Sequence, residues 1–240
     1  MSNQACIINP ERSKGEPELP AVGILAVNPA DAALLEKYAK QEDMQRSFLF
    51  NSNLYHGENL FLAGPAVGAP MAVMCLEKFI ALGAKKIILY GWCGSLHENL
   101  QAMDIFLPTE ALSEEGTSGH YRTGQEEPTS SPALRSSLDK ILTNADQDFQ
   151  QGKIWTTDAP YRETDKKVGE YAAKGVYGVD MEYAALCTVA AFRGVELAAV
   201  MLVSDELWRK PWKPQYSFKK FKKKSKTILT LLHDTIPHGI

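Results

Sequence analysis

Glu182 and Asp205 are the two acids whose types and placing most suggest chemistry; they bound one apolar stretch and lie more than twenty residues apart. A positioned carboxylate accepts strong, charge-assisted hydrogen bonds from hydroxyls, or hands a proton to a departing group. The segment between them indicates why they should meet. Residues 176–179 are β-prone and lead into Asp180-Met181-Glu182. Residues 183–192 are Ala-rich and nearly free of charge, as in a helix buried on most faces, and Gly194 is a natural stop. Residues 196–203 read as a continuous apolar strand, the kind covered on both sides in a parallel sheet, and end in Ser204-Asp205. In a β-α-β unit the helix start and the carboxyl end of the next strand share one edge, where open α/β folds place ligands. The spacing therefore predicts one site containing both acids. Each acid alone also has an ordinary reading, Glu182 as a partner of the helix dipole and Asp205 as a cap.

Composition narrows the function classes. The 240 residues suffice for a sizeable core, and 45% hydrophobic with 23% charged residues is ordinary for a soluble globular protein. A net charge of −3 argues against a dedicated nucleic-acid binder. Cys6, Cys75, Cys93 and Cys187 have no CxxC spacing, and the five histidines form no HExxH. Neither a zinc site nor a disulfide framework is suggested, and no cofactor is expected. With no signal peptide and no apolar run long enough for a bilayer, the expected location is cytoplasmic, away from membranes. The tail from Trp208 interleaves Trp212, Tyr216, Phe218 and Phe221 with eight lysines, which superficially suggests a nucleic-acid patch. Phe218, Phe221, Ile228, Leu229 and Leu232 instead fit one helical stripe and leave the lysines as a solvated face.

Strand and helix patterns alternate along the rest of the chain. Residues 1–20 carry Pro10, Gly15, Pro17 and Pro20 among charges and read as an ill-ordered arm; 21–240 read as one domain. Strands are expected over 21–27, 48–55, 60–63, 86–90, 105–108 and 152–155, with helices over 30–40, 70–82 and 133–144. Residues 113–132 read as a polar loop. Neither the Gly64-Gly68 nor the Gly91-Gly94 spacing matches a dinucleotide or P-loop pattern. If the strands are mostly parallel, the polar ends after 27, 63, 90, 155 and 203 gather into a pocket. Trp155 and Tyr161 are the candidates for stacking on a flat ligand, although buried aromatics are commoner; Trp92 either lines that pocket or fills it.

Val179-Asp180-Met181-Glu182, the Ala-rich helix and Val203-Ser204-Asp205 together resemble the nucleoside phosphorylase and nucleosidase superfamily. So do the glycine loop at 64–70, Gly91-Trp92-Cys93-Gly94, and Thr157-Asp158-Ala159-Pro160-Tyr161, in the same order along 21–205. The resemblance implies a single-domain, three-layer α/β/α sandwich around a mixed, partly barrel-like sheet. It implies cleavage of the N-glycosidic bond of a purine-type nucleoside, with Met181 and Glu182 gripping the ribose and Asp205 protonating the departing base. Trp92, Cys93 and Gly94 then belong to the substrate pocket.

The chain departs from the phosphate-binding pattern of that family. Where purine phosphorylases carry Gly-Asp-Pro-x-Arg, this chain has Val27-Asn28-Pro29-Ala30-Asp31, with an acid at the arginine position. Leu89 replaces a second arginine, and Trp92 the phosphate-binding Ser or Thr. Arg46 alone falls where the family places an arginine donated by a neighbouring subunit, which implies a homo-oligomer. Asp31 aligns with the acid that helps to activate water in methylthioadenosine and adenosylhomocysteine nucleosidases, although an acid in a first helical turn is also ordinary. Thr164 and Lys166 stand where uridine phosphorylases carry Gln-x-Arg, which disfavours a pyrimidine. The balance leans to water over phosphate as acceptor. True phosphorolysis, and nucleoside binding without turnover, are the competing readings. Glu182→Gln is expected to leave the chain folded and to lower kcat/KM on a ribonucleoside by ~10²–10⁴, as two weakened hydrogen bonds to a charged acceptor would. Steady-state kinetics checks this, and an unchanged kcat/KM removes Glu182 from the site.

Overall fold

A computed structural model describes residues 6–121, 124 and 127–240. Its first half comprises β1 (Val22–Ala26), α1 (Pro29–Gln41), β2 (Gln45–Leu49), β3 (Ser52–His56), β4 (Phe61–Gly64), α2 (Ala69–Ala81) and β5 (Lys86–Ser95). Then come β6 (Ile105–Ser113), the short α3 (Ser118–Tyr121), α4 (Pro132–Asn144), β7 (Phe149–Thr156) and α5 (Asp165–Ala172). The chain closes with β8 (Val176–Asp180), α6 (Tyr183–Arg193), β9 (Glu196–Glu206) and α7 (Lys219–Gly239).

The strands form one sheet in the order β2-β3-β4-β1-β5-β8-β7-β6-β9, and β9 also pairs with β5. That last pairing closes β5, β8, β7, β6 and β9 into a five-stranded barrel, while β1, β4, β3 and β2 extend from it as a wing. The sheet is mixed: β1–β4, β1–β5, β5–β9, β6–β7 and β7–β8 are parallel, and the other pairs antiparallel. On one face α2 and α6 bury Leu76, Phe79, Tyr183 and Leu186. On the other, α1, α4 and α7 bury Leu35, Leu138, Leu142, Ile228, Leu229 and Leu232. Burying apolar area at ~25 cal/mol per Å² on both faces is what holds the three layers together. The sandwich with a partly barrel-like sheet is as the sequence implied.

Several elements differ from the sequence reading, for reasons of pairing. Residues 48–55 are not one strand: Phe50 takes a positive φ of 42° and turns β2 back on β3. β5 and β6 run well beyond 90 and 108, because β9 and β7 supply partners along their length. α5 was not foreseen. β9 continues through Glu206, so Asp205 lies inside a strand. On α7 the stripe from Phe221 onward is buried, but Phe218 is exposed and sits just before the helix. Residues 6–20 hold no helix or strand, yet Lys78 Nζ pairs with Glu16 at 2.6 Å and Leu19 N donates to Leu82 O at 2.8 Å. Residues 1–5 of the expected arm, and 122, 123, 125 and 126 of the expected loop, lie outside the described residues. Among the described residues no helix is long and apolar enough to cross a membrane.

Gly64 ends β4 at φ +146°, and a Cβ there would stand 2.1 Å from the carbonyl oxygen of Ala26 on β1. Backbone cannot yield as a flexible side chain can. Gly64→Ala is therefore expected to cost roughly 2–5 kcal/mol of stability, combining backbone strain with overpacking. A lower urea midpoint checks this, and an unchanged midpoint refutes it.

Candidate active site

The start of α6 is held by Asp180, the last residue of β8. Asp180 Oδ2 accepts from the backbone N–H of Glu182 at 3.0 Å and of Tyr183 at 2.6 Å, and Oδ1 accepts from Thr156 Oγ1 at 2.6 Å. Thr156 Oγ1 in turn accepts from Ala184 N at 3.0 Å. Asp180 thus satisfies the open amides of the helix start. Glu182 itself makes no capping bond. Glu182 Oε1 accepts instead from Gly68 N at 2.6 Å, across the molecule on the glycine loop before α2. Glu182 is buried, and partly buried Met181 precedes it. Burial pushes the Glu182 carboxyl well up, and the charge of Asp180 pushes it further. Burial also raises Asp180, but its three donors hold it down, so Glu182 is the member that keeps its proton longer.

Asp205 reaches the same edge through Gly94. In the register of the sheet Gly94 opposes Val179 of β8 on one side and Asp205 of β9 on the other. A Cβ at Gly94 would meet Leu207 Cδ1 at 2.4 Å, Val179 Cγ1 at 3.1 Å and Asp205 Oδ2 at 3.4 Å, so glycine permits the close approach. The neighbouring Cys93 thiol is buried and pushed up by that burial, then by the charges of Asp180 and Asp205. Both acids therefore flank the end of β5. Among the described residues no backbone N–H donates to the Asp205 carboxylate, unlike a cap. Its Oδ1 accepts from Ser204 Oγ at 2.6 Å, and its Oδ2 from Trp212 Nε1 at 2.8 Å. Glu163, just after a 3₁₀ turn at Pro160–Arg162, is pushed up to about 7, chiefly by burial and then by the charge of Asp205.

Asp31 belongs to a second buried group, reached by the alternate face of β5. Its Oδ1 accepts from Ser225 Oγ of α7 at 2.6 Å, and Ser225 Oγ lies 3.0 Å from Tyr90 Oη. Burial pushes Asp31 up to about 6, while Ser225, Trp92 and Asn28 hold it down. Among the described residues Trp92 Nε1, Asn28 Nδ2 and Asp31 Oδ2 are all buried without a hydrogen-bond partner. One water with two to four polar neighbours would satisfy such a set. Trp92 packs edge-on against Phe221 at 5.0 Å and stacks on Tyr216 at 6.1 Å.

The sequence candidates thus fall into separate places. Met181, Glu182, Cys93, Gly94 and Asp205 gather at one edge; Asp31 and Trp92 form the second group. Trp155 is fully buried, edge-on to Tyr171 at 4.8 Å, with its Nε1 donating to Glu114 at 2.8 Å. In this structure it offers no free ring face. Tyr161 is at the other extreme, 100% exposed on its turn. Arg46 lies on the outer strand β2 and donates to Asn53 at 2.8 Å, away from both acids within one chain. Sequence reasoning passed over Glu163, Thr156, Gly68 and Trp212. Glu163 directly precedes Thr164, and nothing in the local sequence marks it. A cavity of about 170 Å³ lined by Ser130, Ser131 and Cys187 lies elsewhere and contains neither acid.

Known proteins share this fold. The guanosine phosphorylase of Halorubrum lacusprofundi is 24% identical over 189 residues, covering 76% of this chain and 78% of the relative. Purine nucleoside phosphorylase of Toxoplasma gondii in complex with immucillin-H superposes with a TM-score of 0.77 at 20% identity, over 89% of this chain and 90% of that one. AMP nucleosidase of Bacteroides thetaiotaomicron superposes with a TM-score of 0.73 at 21% identity, over 92% and 91%. Fold and relatives together define an enzyme of the glycosyl-transferring or N-glycosyl-hydrolysing class. The chain belongs to the Phosphorylase superfamily, whose family model matches residues 21–233.

A buried acid raised well above its ordinary value is more stable folded when protonated. Stability conferred by protonated Glu182 is complete below about 4.5, the ordinary glutamate value, and is lost as pH rises toward its folded value. Glu182→Gln has no such proton to lose. Its Tm is expected to match that of the unaltered chain near pH 4 and to exceed it by ~2–6 °C above neutrality, since a tenfold change in proton affinity is worth about 1.4 kcal/mol. Thermal melts across pH check this, and a constant difference would mean that Glu182 is not buried as a charge.

Proposed function

We propose that this enzyme cleaves the N-glycosidic bond of a purine nucleoside, with water as the acceptor. The observation that carries the cleavage is the register at Gly94, which sets Val179 and Asp205 on either side of one glycine and so brings Glu182 and Asp205 to a common edge. Glu182, freed from capping by Asp180, accepts the ribose hydroxyls with the lone pairs not taken by Gly68. Cleavage builds positive charge on the sugar, which favours the ionised form of a carboxylate that burial otherwise keeps protonated. Asp205 passes its proton to a ring nitrogen of the base as the C1′–N bond breaks. Water then adds to C1′ and gives up its proton to solvent.

The buried Asp31 supports water over phosphate. An acid at about 6 is mostly ionised at neutral pH and would repel a phosphate dianion. No Lys or Arg among the described residues hydrogen-bonds to Asp31, Glu182 or Asp205. The partnerless donors Asn28 Nδ2 and Trp92 Nε1 favour the competing reading, phosphorolysis, as does the phosphorylase relative. A homo-oligomer also fits: exposed Phe48 shares β2 with Arg46, and a second copy covering that strand would bring the arginine to a neighbour's site.

Product analysis with and without millimolar phosphate decides between the acceptors. Free ribose or its 5′-substituted form is expected, at a rate that phosphate does not raise. Ribose 1-phosphate with a rate saturating in phosphate would establish phosphorolysis.

A further inference from the structure

The segment after β9 is tied down on both sides of Asp205. Leu207 N donates to Ser95 O at 2.8 Å, and Gln215 N returns to Ser204 O at 2.8 Å. Between these points Lys210 pairs with Asp165 at the start of α5, and beyond them Tyr216 stacks on Trp92. Residues 207–216 thus form a strap over the end of β9, with contacts to α5 and to the second buried group. Trp212 is 53% exposed, so its ring is poorly used as packing, yet its Nε1 is aimed at Asp205 Oδ2 at 2.8 Å. Apolar burial alone does not explain a tryptophan here.

We propose that Trp212 is a positioning residue for Asp205, its indole N–H strengthening Asp205 as a proton donor to the departing base. This rests on the proposed role of Asp205. Indole nitrogen is a donor only and can serve as neither general base nor general acid in this step. A hydrogen bond to an ionised acceptor is about twice as strong as one to a neutral group. When Asp205 gives its proton to the base nitrogen, the O–H bond breaks and the electron pair stays on the carboxylate. The bond from Trp212 tightens at that moment, and an interaction stronger in the transition state than in the ground state raises kcat. Ser204 Oγ on Oδ1 leaves Trp212 to set the other oxygen, and the strap brings it there from outside the strand.

The test uses the full chain with two substrates, a neutral purine nucleoside and one whose base already carries a positive charge. Trp212→Phe keeps an aromatic ring without the N–H; Trp212→Gln keeps an N–H donor without the ring. With the neutral nucleoside Trp212→Phe is expected to lower kcat ~10- to 100-fold with little change in KM. Trp212→Gln is expected to lose less. With the charged base, which needs no proton, both variants should approach the rate of the unaltered chain. In an Asp205→Asn background the further loss from Trp212→Phe should vanish, as expected for two groups acting as one unit. Equal losses on both substrates, or a Trp212→Phe rate equal to that of the unaltered chain, would overturn the proposal. If Asp205→Asn alone is equally harmful on both substrates, the assignment of Asp205 as proton donor fails first.

Discussion

The carboxylate of Asp180 is the interaction on which the rest of the site depends. It is buried, and it gathers Thr156 Oγ1 and the amides of Glu182 and Tyr183. Thr156 opposes Asp180 across the β7–β8 pairing, so the same contact couples two barrel strands to the first turn of α6. A buried charge is tolerated only when it is well paired or hydrogen-bonded, and three donors meet that requirement here. Because Asp180 absorbs the helix start, the next acid along the chain is left available for a ligand.

Glu182 shows the opposite economy. Its Oε1 accepts from Gly68 N, the Met181 amide also favours its charge, and among the described residues no side chain donates to it. Burial and Asp180 both oppose its charge. A group left under-satisfied in this way destabilises the empty fold and is relieved by hydroxyl donors or a developing cation. Perturbed carboxyls cluster at functional sites for this reason. Glu163 and Asp31 are two further acids raised by burial, one beside Asp205 and the other on the far face of β5.

β5 links the two groups through simple alternation. Cys93 turns toward the α2 and α6 side, while Trp92 turns toward α7, as successive residues of a strand must. The strap after β9 then touches both, through Trp212 and through Tyr216. In this arrangement the position where the family resemblance implies a phosphate-binding Ser or Thr is occupied by an indole packed on the C-terminal helix. A change of acceptor chemistry can follow from a few side chains on one strand without altering the sheet.

How much was legible in the sequence varied with the range of the interaction. The Ala-rich run over 183–192 and the apolar run after it carried their own period and punctuation, so helix α6 and strand β9 followed from local pattern; the expected parallel β-α-β unit did not, because β8 pairs antiparallel with β5 and so runs opposite to β9. The family motifs supplied the sandwich. The broken strand at Phe50, the full length of β5 and the inclusion of Asp205 in β9 were decided by pairing partners far along the chain, which no window of sequence contains. The same holds for individual side chains. Asp180 and Glu182 are both acids at one helix start, and only the hydroxyl of Thr156 and the amide of Gly68 tell which one caps and which one remains free. Trp155 and Trp212 are both tryptophans in polar surroundings of the sequence. One is enclosed by Leu96, Val168 and Val179, while the other reaches Asp205 from a strap whose ends are fixed by Ser95 and Ser204. Type and spacing determined which residues could act; burial and long-range hydrogen bonds decided which of them face each other.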